Sequence, residues 1–230
     1  MLPGIHTNIF NKKLQQIRTR IKEAKVDGYS KIRLSVSIGG VMTHNETIES
    51  AMYRADKLML QAKSKVIIHT PYAVFSKEMY EGIAQVKQQV PNTTMILNSI
   101  ASGDNICASA DYQKNRSKIL DTGVSLYEYM GRHSTHGKSL INDDIAVVGS
   151  YNFDCRSTYV DTETMLVVQG KEITKQLEEV FSRLKRGSLK VNKDGSYQND
   201  KNVAERTMDS KKQGMIKILS YIIQAFRYLA

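Results

Sequence analysis

The apolar positions of this chain follow two periods, one typical of helices and one typical of strands. Apolar residues from Leu14 to Lys25 recur every three or four positions among basic residues, which predicts an amphipathic helix. Residues 31–40 alternate apolar and polar side chains before a Gly-Gly pair, as a half-buried strand does. Thr43 and Glu46 then form a capping pair for a second helix. The first 64 residues therefore predict a helix-strand-helix fragment.

After residue 64, short apolar runs alternate with helical segments. Strands are predicted at KVIIH, TMILN, VSLYEY, SLIN, IAVVG and TMLVVQG. Helices are predicted over about 76–88, up to about Leu120, and over about 172–185. Strands that alternate with helices predict an α/β fold in which helices cover a sheet.

The pattern changes again near the end of the chain. Residues 187–210 are polar and rich in Gly, Asn and Asp, which predicts a linker or a long loop. Residues 211–230 predict an apolar helix with basic residues, which suits an anionic lipid interface, and the alternative is a helix that docks on the sheet. The basic residues of this helix are Lys211, Lys212, Lys217 and Arg227. The expected segments are therefore 1–64, 65–186, 187–210 and 211–230.

Charge and cysteine content narrow the function classes without choosing one. The formal net charge of +10 favours an anionic partner, such as nucleic acid, an acidic membrane or a phosphorylated substrate. Cys107 and Cys155 have neither ligand nor disulfide-framework spacing, so we expect no metal and a reducing cytoplasm. We find no signal-peptide core and no run of about 18 apolar residues. The expected location is therefore cytoplasmic and peripheral at the inner membrane face.

One short string contains most of the candidate chemistry. In chain order its residues are His136, Lys138, Asp143, Ser150, Asn152 and Glu163. On two adjacent strands and their connection, they can bring an imidazole, an ammonium, an amide and a hydroxyl together. Phosphodiester cleavage without a metal needs a nucleophile or proton donor, cations for the nonbridging oxygens and neutral donors for orientation. Lys138 and Asn152 suit oxygen binding, and His136 suits covalent attack or acid catalysis.

This string resembles the HKD motif of the phospholipase D superfamily, in which HxK is followed by four residues, an aspartate and a Gly-Ser-x-Asn segment. In that superfamily one histidine becomes a phosphohistidine and the other protonates the leaving oxygen, without a metal or cofactor. The resemblance implies acid catalysis by His136, or both roles in a symmetric dimer. It makes Glu163 the acid that orients an imidazole, and Asp143 a supporting residue. Five residues separate Asp143 from Gly149, where many members have six.

The resemblance continues upstream. KVIIHTPY, LNSIASGDN, YQKNRSKILDTGVSLYEY and the motif region are similar to the C-terminal half of bacterial cardiolipin synthases, over about residues 65–170. This implies a phospholipase D-like mixed sheet flanked by helices, and an anionic phospholipid partner such as phosphatidylglycerol. It also implies that further residues lie near the substrate entrance: Asn98, Ser99, Asp104, Tyr112 and Arg116. Ordinary loop and helix capping is the alternative for each of these residues.

The chain contains one HxK motif, whereas a complete site of this superfamily uses two that face each other. The second motif must come from another copy in a homodimer, as in small nucleases of the superfamily, or from a missing half. We therefore expect a phosphodiesterase or phosphatidyltransferase of the cardiolipin synthase type. The alternatives are a homodimeric nuclease that acts on nucleic acid, and an inactive truncated or chimeric protein that binds anionic membranes.

The residues before 65 carry a different resemblance. RLSVSIGG and TIESAMYRADKLMLQAKSK are similar to the C-terminal part of a diguanylate cyclase, or GGDEF, domain. The Gly-Gly-Asp/Glu-Glu-Phe turn that binds nucleotide and metal in that family does not occur in the sequence, so cyclase activity is not predicted. A generic strand-turn-helix unit is the alternative.

Overall fold

The computed structural model describes residues 16, 19, 20, 64–198, 200 and 202–227. The expected helix-strand-helix fragment and the GGDEF-like segment lie almost wholly outside the described residues. The strands after residue 64 are β1 (Val66–His69), β2 (Ala73–Val74), β3 (Thr93–Asn98), β4 (Ser125–Tyr129), β5 (Ser139–Asn142), β6 (Ile145–Gly149), β7 (Phe153–Asp154), β8 (Met165–Gln169) and β9 (Ser188–Lys190). The helices are α1 (Lys77–Gln89), α2 (Ile106–Asp121), α3 (Cys155–Tyr159), α4 (Lys171–Arg186) and α5 (Ser210–Ile222), followed by a 3-10 turn at Ile223–Ala225.

Side-chain caps determine where three of the helices begin. Ser76, Asn105 and Asp209 each accept a hydrogen bond from the backbone N–H three residues later, at the first turns of α1, α2 and α5. Such caps satisfy amide groups that have no partner inside the helix. The ends of α1 and α4 fall within one or two residues of the predicted bounds.

Seven strands form one mixed sheet in the order β8-β6-β5-β1-β3-β4-β9. The strands β1, β3 and β4 are parallel neighbours, whereas β5, β6, β8 and β9 are antiparallel to the strands beside them. The short strands β2 and β7 form a separate parallel pair. This architecture confirms the predicted α/β fold with a mixed sheet flanked by helices, and all six predicted strands are present.

Helices cover the middle of the sheet on both faces. The cluster beneath α1 and α2 includes Ile68, Met95, Leu97, Leu126, Ile83 and Ile119. On the other face, Phe181 of α4 packs with Ile96 and Ile141. Each such apolar side chain contributes about 1.5–3 kcal/mol when it is fully buried. The centre of the sheet is therefore a well-packed support for the residues at its ends.

The edge formed by β8 is covered much less. Val148 on β6 pairs directly with Leu166 on β8, yet these side chains are 46% and 47% exposed. Val167, which points to the opposite face because strand residues alternate, is also exposed. An edge strand with exposed apolar residues on both faces is prone to associate with another chain.

Two C-terminal segments differ from their predicted form. Residues 187–210, expected as a linker or long loop, begin with β9, which pairs with β4. The sequence does not reveal β9 because the strand is only three residues long and one of them is apolar. The helix α5 docks on α2 rather than on the sheet, through Ile216 and Ile223. Among the described residues, no helix is long and apolar enough to cross a membrane.

Candidate active site

Several residues predicted for catalysis meet at one end of the sheet. The parallel strands β1, β3 and β4 end there, at His69, Asn98 and Tyr129. The antiparallel strand β6 ends there too, and Gly149 N donates to the carbonyl oxygen of Lys138 at 3.1 Å, just before β5 begins. We call this region the HxK end of the sheet. The carboxyl ends of parallel strands are where open α/β sheets generally bind ligands.

His136 and Lys138 lie side by side in the segment that leads into β5. His136 is exposed, whereas Lys138 is only 8% exposed. The Lys138 Nζ lies 2.5 Å from Nδ1 and 3.2 Å from Nε2 of His136, and it donates to the His136 carbonyl oxygen at 2.9 Å. A solvent-accessible imidazole and a fixed ammonium therefore share one small site, and covalent phosphoryl transfer can use this pair.

Burial governs the electrostatics of the Lys138 ammonium. Desolvation lowers the pKa of Lys138, and the carboxylates of Glu163, Asp104 and Asp154 act against that shift. Asp154 is itself buried, and burial raises its pKa although Ser157 N donates to its Oδ1 at 2.7 Å. The three carboxylates come from three separate segments, so the fold surrounds one buried cation with acidic groups.

Tyr72 and Asp104 form a wall beside His136. The Tyr72 ring packs edge-to-face on the His136 ring, with centroids 5.9 Å apart, and its hydroxyl donates to Asp104 Oδ1 at 2.9 Å. Burial, and then the bond to Asp104, raise the pKa of Tyr72. Burial acts to raise the pKa of Asp104, but hydrogen bonds from Tyr72 and Ser134 outweigh it and lower that pKa. The structure thus brings Asp104 to the site and adds Tyr72.

Two buried side chains hold the residue that precedes His136. Asn98 Oδ1 accepts from Thr135 N at 2.8 Å, and Asn98 Nδ2 donates to Thr135 O at 2.9 Å. The same Nδ2 also donates to Pro71 O at 3.2 Å. On the other side, His69 Nε2 lies 3.0 Å from Thr135 Oγ1. Asn98 was expected at the substrate entrance, but its amide bonds to the backbone and so positions the HxK segment.

His69 is a site residue that the sequence did not indicate. It is 4% exposed at the end of β1, and its ring meets the Phe181 ring edge-on. A Cβ added to Gly137 would lie 2.6 Å from His69 Cε1, so a larger residue between His136 and Lys138 would require the His69 ring to move. Burial, and secondarily the Lys138 ammonium, lower the pKa of His69 to about 4. The ring is therefore neutral at neutral pH and supports the HxK segment from below.

Glu163 and Ser150 meet near the start of β8. Ser150 Oγ donates to Glu163 Oε2 and accepts from Thr164 N at 3.0 Å. Glu163 lies close enough to Lys138 to influence its pKa, so the predicted acid is at the site, although its hydrogen bond goes to Ser150 rather than to an imidazole. Asn152 Oδ1 is buried without a hydrogen-bond partner in the described part of the chain. An amide oxygen is an acceptor, so this atom can bind a donor such as a ligand hydroxyl, whereas a phosphate oxygen needs the Asn152 Nδ2 donor.

Asp143 lies at the opposite end of β5 from Lys138. At about 3.3 Å per residue, the two positions are roughly 16 Å apart along the strand. Asp143 Oδ1 accepts from Ser64 N at 3.1 Å and from Lys65 N at 3.0 Å, and its φ of 50° closes the turn into β6. In the structure, Asp143 therefore fixes the start of β1, at the far end of β5 from His136 and Lys138.

Three further residues expected near the substrate entrance have other partners. Ser99 bonds to the residue three positions later, within the turn after β3. The Tyr112 hydroxyl and Arg116 Nε both donate to Glu128 Oε1, at 2.5 and 2.6 Å. Tyr197 donates to Glu128 Oε2 at 2.5 Å. We call this group of Tyr112, Arg116, Glu128 and Tyr197 the Glu128 network. It joins α2 to β4 and to the segment after β9, and it contains none of the groups described above at the HxK end.

Residues 56–185, more than half of the chain, match the family described as cardiolipin synthase, PLD-like domain. The chain is 27% identical over 137 residues to cardiolipin synthase A of Wigglesworthia glossinidia brevipalpis, covering 59% of this chain and 26% of that protein. It is 24% identical over 173 residues to cardiolipin synthase 1 of Staphylococcus epidermidis, covering 74% of this chain and 33% of that protein. An uncharacterized protein of Helicobacter pylori is 25% identical over 136 residues, covering 53% and 27%. The chain thus spans only about a quarter to a third of the length of these relatives.

Solved structures share the fold at low sequence identity. Phosphatidylserine synthase of Haemophilus influenzae has a TM-score of 0.59 at 13% identity, covering 100% of this chain and 56% of that chain. Nuc of Salmonella typhimurium, a phospholipase D family member, has a TM-score of 0.52 at 16% identity, covering 62% and 91%. Similarity of this kind supports the fold alone. Together with the family match over residues 56–185, it leads to one conclusion: the chain belongs to the cardiolipin synthase, PLD-like domain family.

Proposed function

We propose that this chain is one half of a phospholipase D-type phosphodiesterase or phosphatidyltransferase, with an anionic phospholipid such as phosphatidylglycerol as substrate. The observation that carries the proposal is the exposed His136 imidazole beside the buried Lys138 ammonium at the HxK end. The relatives named cardiolipin synthase support a lipid substrate.

In the proposed reaction, a histidine Nε2 attacks phosphorus and the P–O bond to the leaving alcohol breaks. The alcohol takes its proton from the histidine of the opposite half-site. Water or a second alcohol then gives its proton to that same histidine and attacks the phosphohistidine, which releases the first histidine. His136 acts as the acid and base, or takes both roles in a symmetric pair of half-sites. Lys138 Nζ and Asn152 Nδ2 donate to the nonbridging oxygens, where negative charge develops.

This mechanism needs two imidazoles on opposite sides of phosphorus, and the described residues contain one HxK pair. His69 does not supply the second imidazole, because it is buried and bonded to Thr135. The exposed apolar residues of the β8 edge, Val148, Leu166 and Val167, support a partner half at this position. We propose that the partner is a second copy of the chain, related by a twofold axis that sets the two HxK ends face to face.

The catalytic proposal is tested on phosphatidylglycerol vesicles without added metal, by measuring hydrolysis and headgroup transfer. The wild type is compared with His136→Ala and with His133→Ala, a matched control that removes another exposed histidine from the same segment. We expect a loss of at least about 10³-fold for His136→Ala and a change below about twofold for His133→Ala. Equal rates in the wild type and His136→Ala, or no turnover in either despite a folded dimer, would refute the proposal.

The need for a second half is tested at the β8 edge. We expect Leu166→Lys to convert a dimer to a folded monomer in a solution mass measurement and to abolish turnover, since a charge is then buried at the contact. Gln169→Lys adds the same charge to an exposed polar position on the same strand. It is expected to leave the solution mass and the turnover unchanged. A fully active monomer would contradict this part of the proposal.

A homodimeric nuclease is the second candidate, and the net charge of +10 favours it because nucleic acid is a polyanion. It predicts degradation of DNA without added metal, lost in His136→Ala, together with no turnover of lipid. Turnover of phospholipid without any degradation of DNA would exclude the nuclease.

A further inference from the structure

One side of α5 is apolar and exposed. Met215, Ile218 and Ile222 are spaced three and four residues apart and therefore share one side of the helix. Ile218 is 65% exposed and Ile222 is 54% exposed. Tyr221 and Phe226 are exposed close by. We call Met215, Ile218 and Ile222 the α5 apolar stripe. Side chains of this size rarely remain exposed as a contiguous group unless they contact a partner or a membrane.

The stripe is exposed although α5 is firmly attached to the rest of the protein. On the opposite side, Ile216 and Ile223 are buried in a cluster with residues of α2. After the 3-10 turn, Arg227 forms a two-pronged ion pair with the buried Asp111, with Nε 2.7 Å from Oδ1 and Nη2 3.0 Å from Oδ2. Two-pronged pairs of this type fix orientation as well as position. The docked side of α5 therefore determines which side faces outward.

The beginning of α5 is tied to the HxK end. Lys212 Nζ donates to the carbonyl oxygens of Ala101 and Gly103, at 2.9 and 2.8 Å. The next residue in that loop, Asp104, accepts from the Tyr72 hydroxyl, and the Tyr72 ring packs on His136. A short series of direct contacts thus links the helix that bears the stripe to the candidate catalytic histidine.

The charges around the stripe are basic. Residues 210–227 contain no aspartate or glutamate, and Lys211 and Lys217 are exposed. Lys114 from α2 adds a further ammonium, 4.2 Å from the centre of the Tyr221 ring. Apolar side chains edged by lysines suit the headgroup region of an anionic bilayer. Lysine is depleted in protein–protein interfaces, so the same composition argues against a second protein as the partner.

We infer that the α5 apolar stripe is a membrane-binding face, which inserts into the headgroup region of an anionic bilayer and holds the HxK end beside it. This contact would give the HxK end access to a lipid held in the bilayer, and that purpose rests on the proposed function. The binding itself does not depend on turnover.

The experiment is cosedimentation of the full chain with phosphatidylglycerol/phosphatidylcholine vesicles and with phosphatidylcholine vesicles alone. We expect Ile218→Glu to weaken binding to the anionic vesicles by at least about tenfold, since one buried isoleucine is lost and a negative charge is added. Ile218→Gln, which adds no charge, is expected to show a smaller loss. Gln213→Glu adds the same charge to an exposed position on another side of α5 and is expected to bind within about twofold of the wild type.

Hydrolysis of a soluble phosphodiester, bis(p-nitrophenyl) phosphate, and the circular dichroism spectrum check that each variant is folded. Unchanged binding by Ile218→Glu would overturn the inference, and so would a wild type that does not sediment with anionic vesicles. Loss of a dimer in Ile218→Glu without loss of vesicle binding would assign the stripe to a protein contact instead.

The two proposals fail in different ways. If the wild type and His136→Ala bind vesicles equally and neither turns over any substrate, the proposed function fails and the membrane face stands. If turnover of the soluble substrate depends on His136 but no stripe variant changes vesicle binding, only the membrane face is lost.

Discussion

The HxK end and the Glu128 network contain similar residue types, and both include residues that were expected at the site from the sequence. They differ in how many of their polar groups still lack a hydrogen-bond partner. Both Glu128 oxygens are satisfied by three donors: Tyr112, Arg116 and Tyr197. Arg116 keeps one nitrogen without a partner among the described residues, but its charge is paired with Glu128. At the HxK end, His136 is exposed and Asn152 Oδ1 is unsatisfied. Groups that satisfy one another stabilise the fold, whereas groups with unused bonds can bind a ligand.

The largest expected effect tests the structural side of this comparison. Glu128→Ala leaves the Arg116 guanidinium without its charge partner, so we expect the free energy of unfolding to fall by about 3–5 kcal/mol. Urea denaturation measures this loss. Turnover per folded molecule is expected to stay within about twofold, because the network has no contact with the reacting groups.

Glu179→Ala is the matched control for Glu128→Ala, since it removes an exposed glutamate from the middle of α4. Its expected effect on the free energy of unfolding is below about 0.5 kcal/mol. If Glu128→Ala abolished turnover while leaving stability intact, the Glu128 network would have to be counted as part of the active site.

The reverse result is expected at Lys138. Lys138→Met keeps the length of the side chain but removes the ammonium, and turnover should fall by about 10²–10³-fold because one group that binds the developing charge is lost. Stability should not fall, since burial lowers the Lys138 pKa and so disfavours its charged form in the fold. Turnover and urea denaturation are measured together, with the exposed Lys171→Met as control. A parallel loss of stability and turnover would place Lys138 with the structural residues.

His69 lies at the HxK end, but it is buried and neutral and so resembles the structural residues of the Glu128 network. Its pKa of about 4 in the fold is below the ordinary value of 6.5, so between these values the unfolded chain binds more protons than the folded chain. Stability contributed by the neutral ring is therefore present above about pH 6.5 and is lost towards pH 4, by at most about 3 kcal/mol. Urea denaturation of His69→Gln over this range should show a shallower pH dependence than the wild type. Identical pH dependence would mean that His69 titrates normally in the fold.

The sequence predicted what depends on local pattern and missed what depends on packing. His136 and Lys138 are two residues apart, and a short extended segment necessarily keeps them near each other. His69 has no such spacing, and only the pairing of β1 with β5, opposite Ser139, brings it under the motif. Arg116 looked like a substrate residue because nothing in the sequence shows that α2 packs on β4 and so meets Glu128.

Asp143 shows the same limit over a shorter distance. It is five residues from Lys138, which suggests a shared site, but an extended strand turns that separation into roughly 16 Å. The motif spacing was recognisable from the sequence, but the sequence did not show that its aspartate lies at the opposite end of β5.

The smallest expected effect tests this distinction between the two ends of β5. Asp143→Ala removes the acceptor for the amides of Ser64 and Lys65 and places alanine at a φ of 50°, so the free energy of unfolding should fall by about 1–2 kcal/mol. Turnover should change by less than about twofold, since no reacting group is touched. Asp143→Asn keeps Oδ1 and tolerates positive φ, so it should recover most of the stability. A tenfold loss of turnover at unchanged stability would return Asp143 to the active site, and distance from the HxK end would then no longer separate structural residues from catalytic ones.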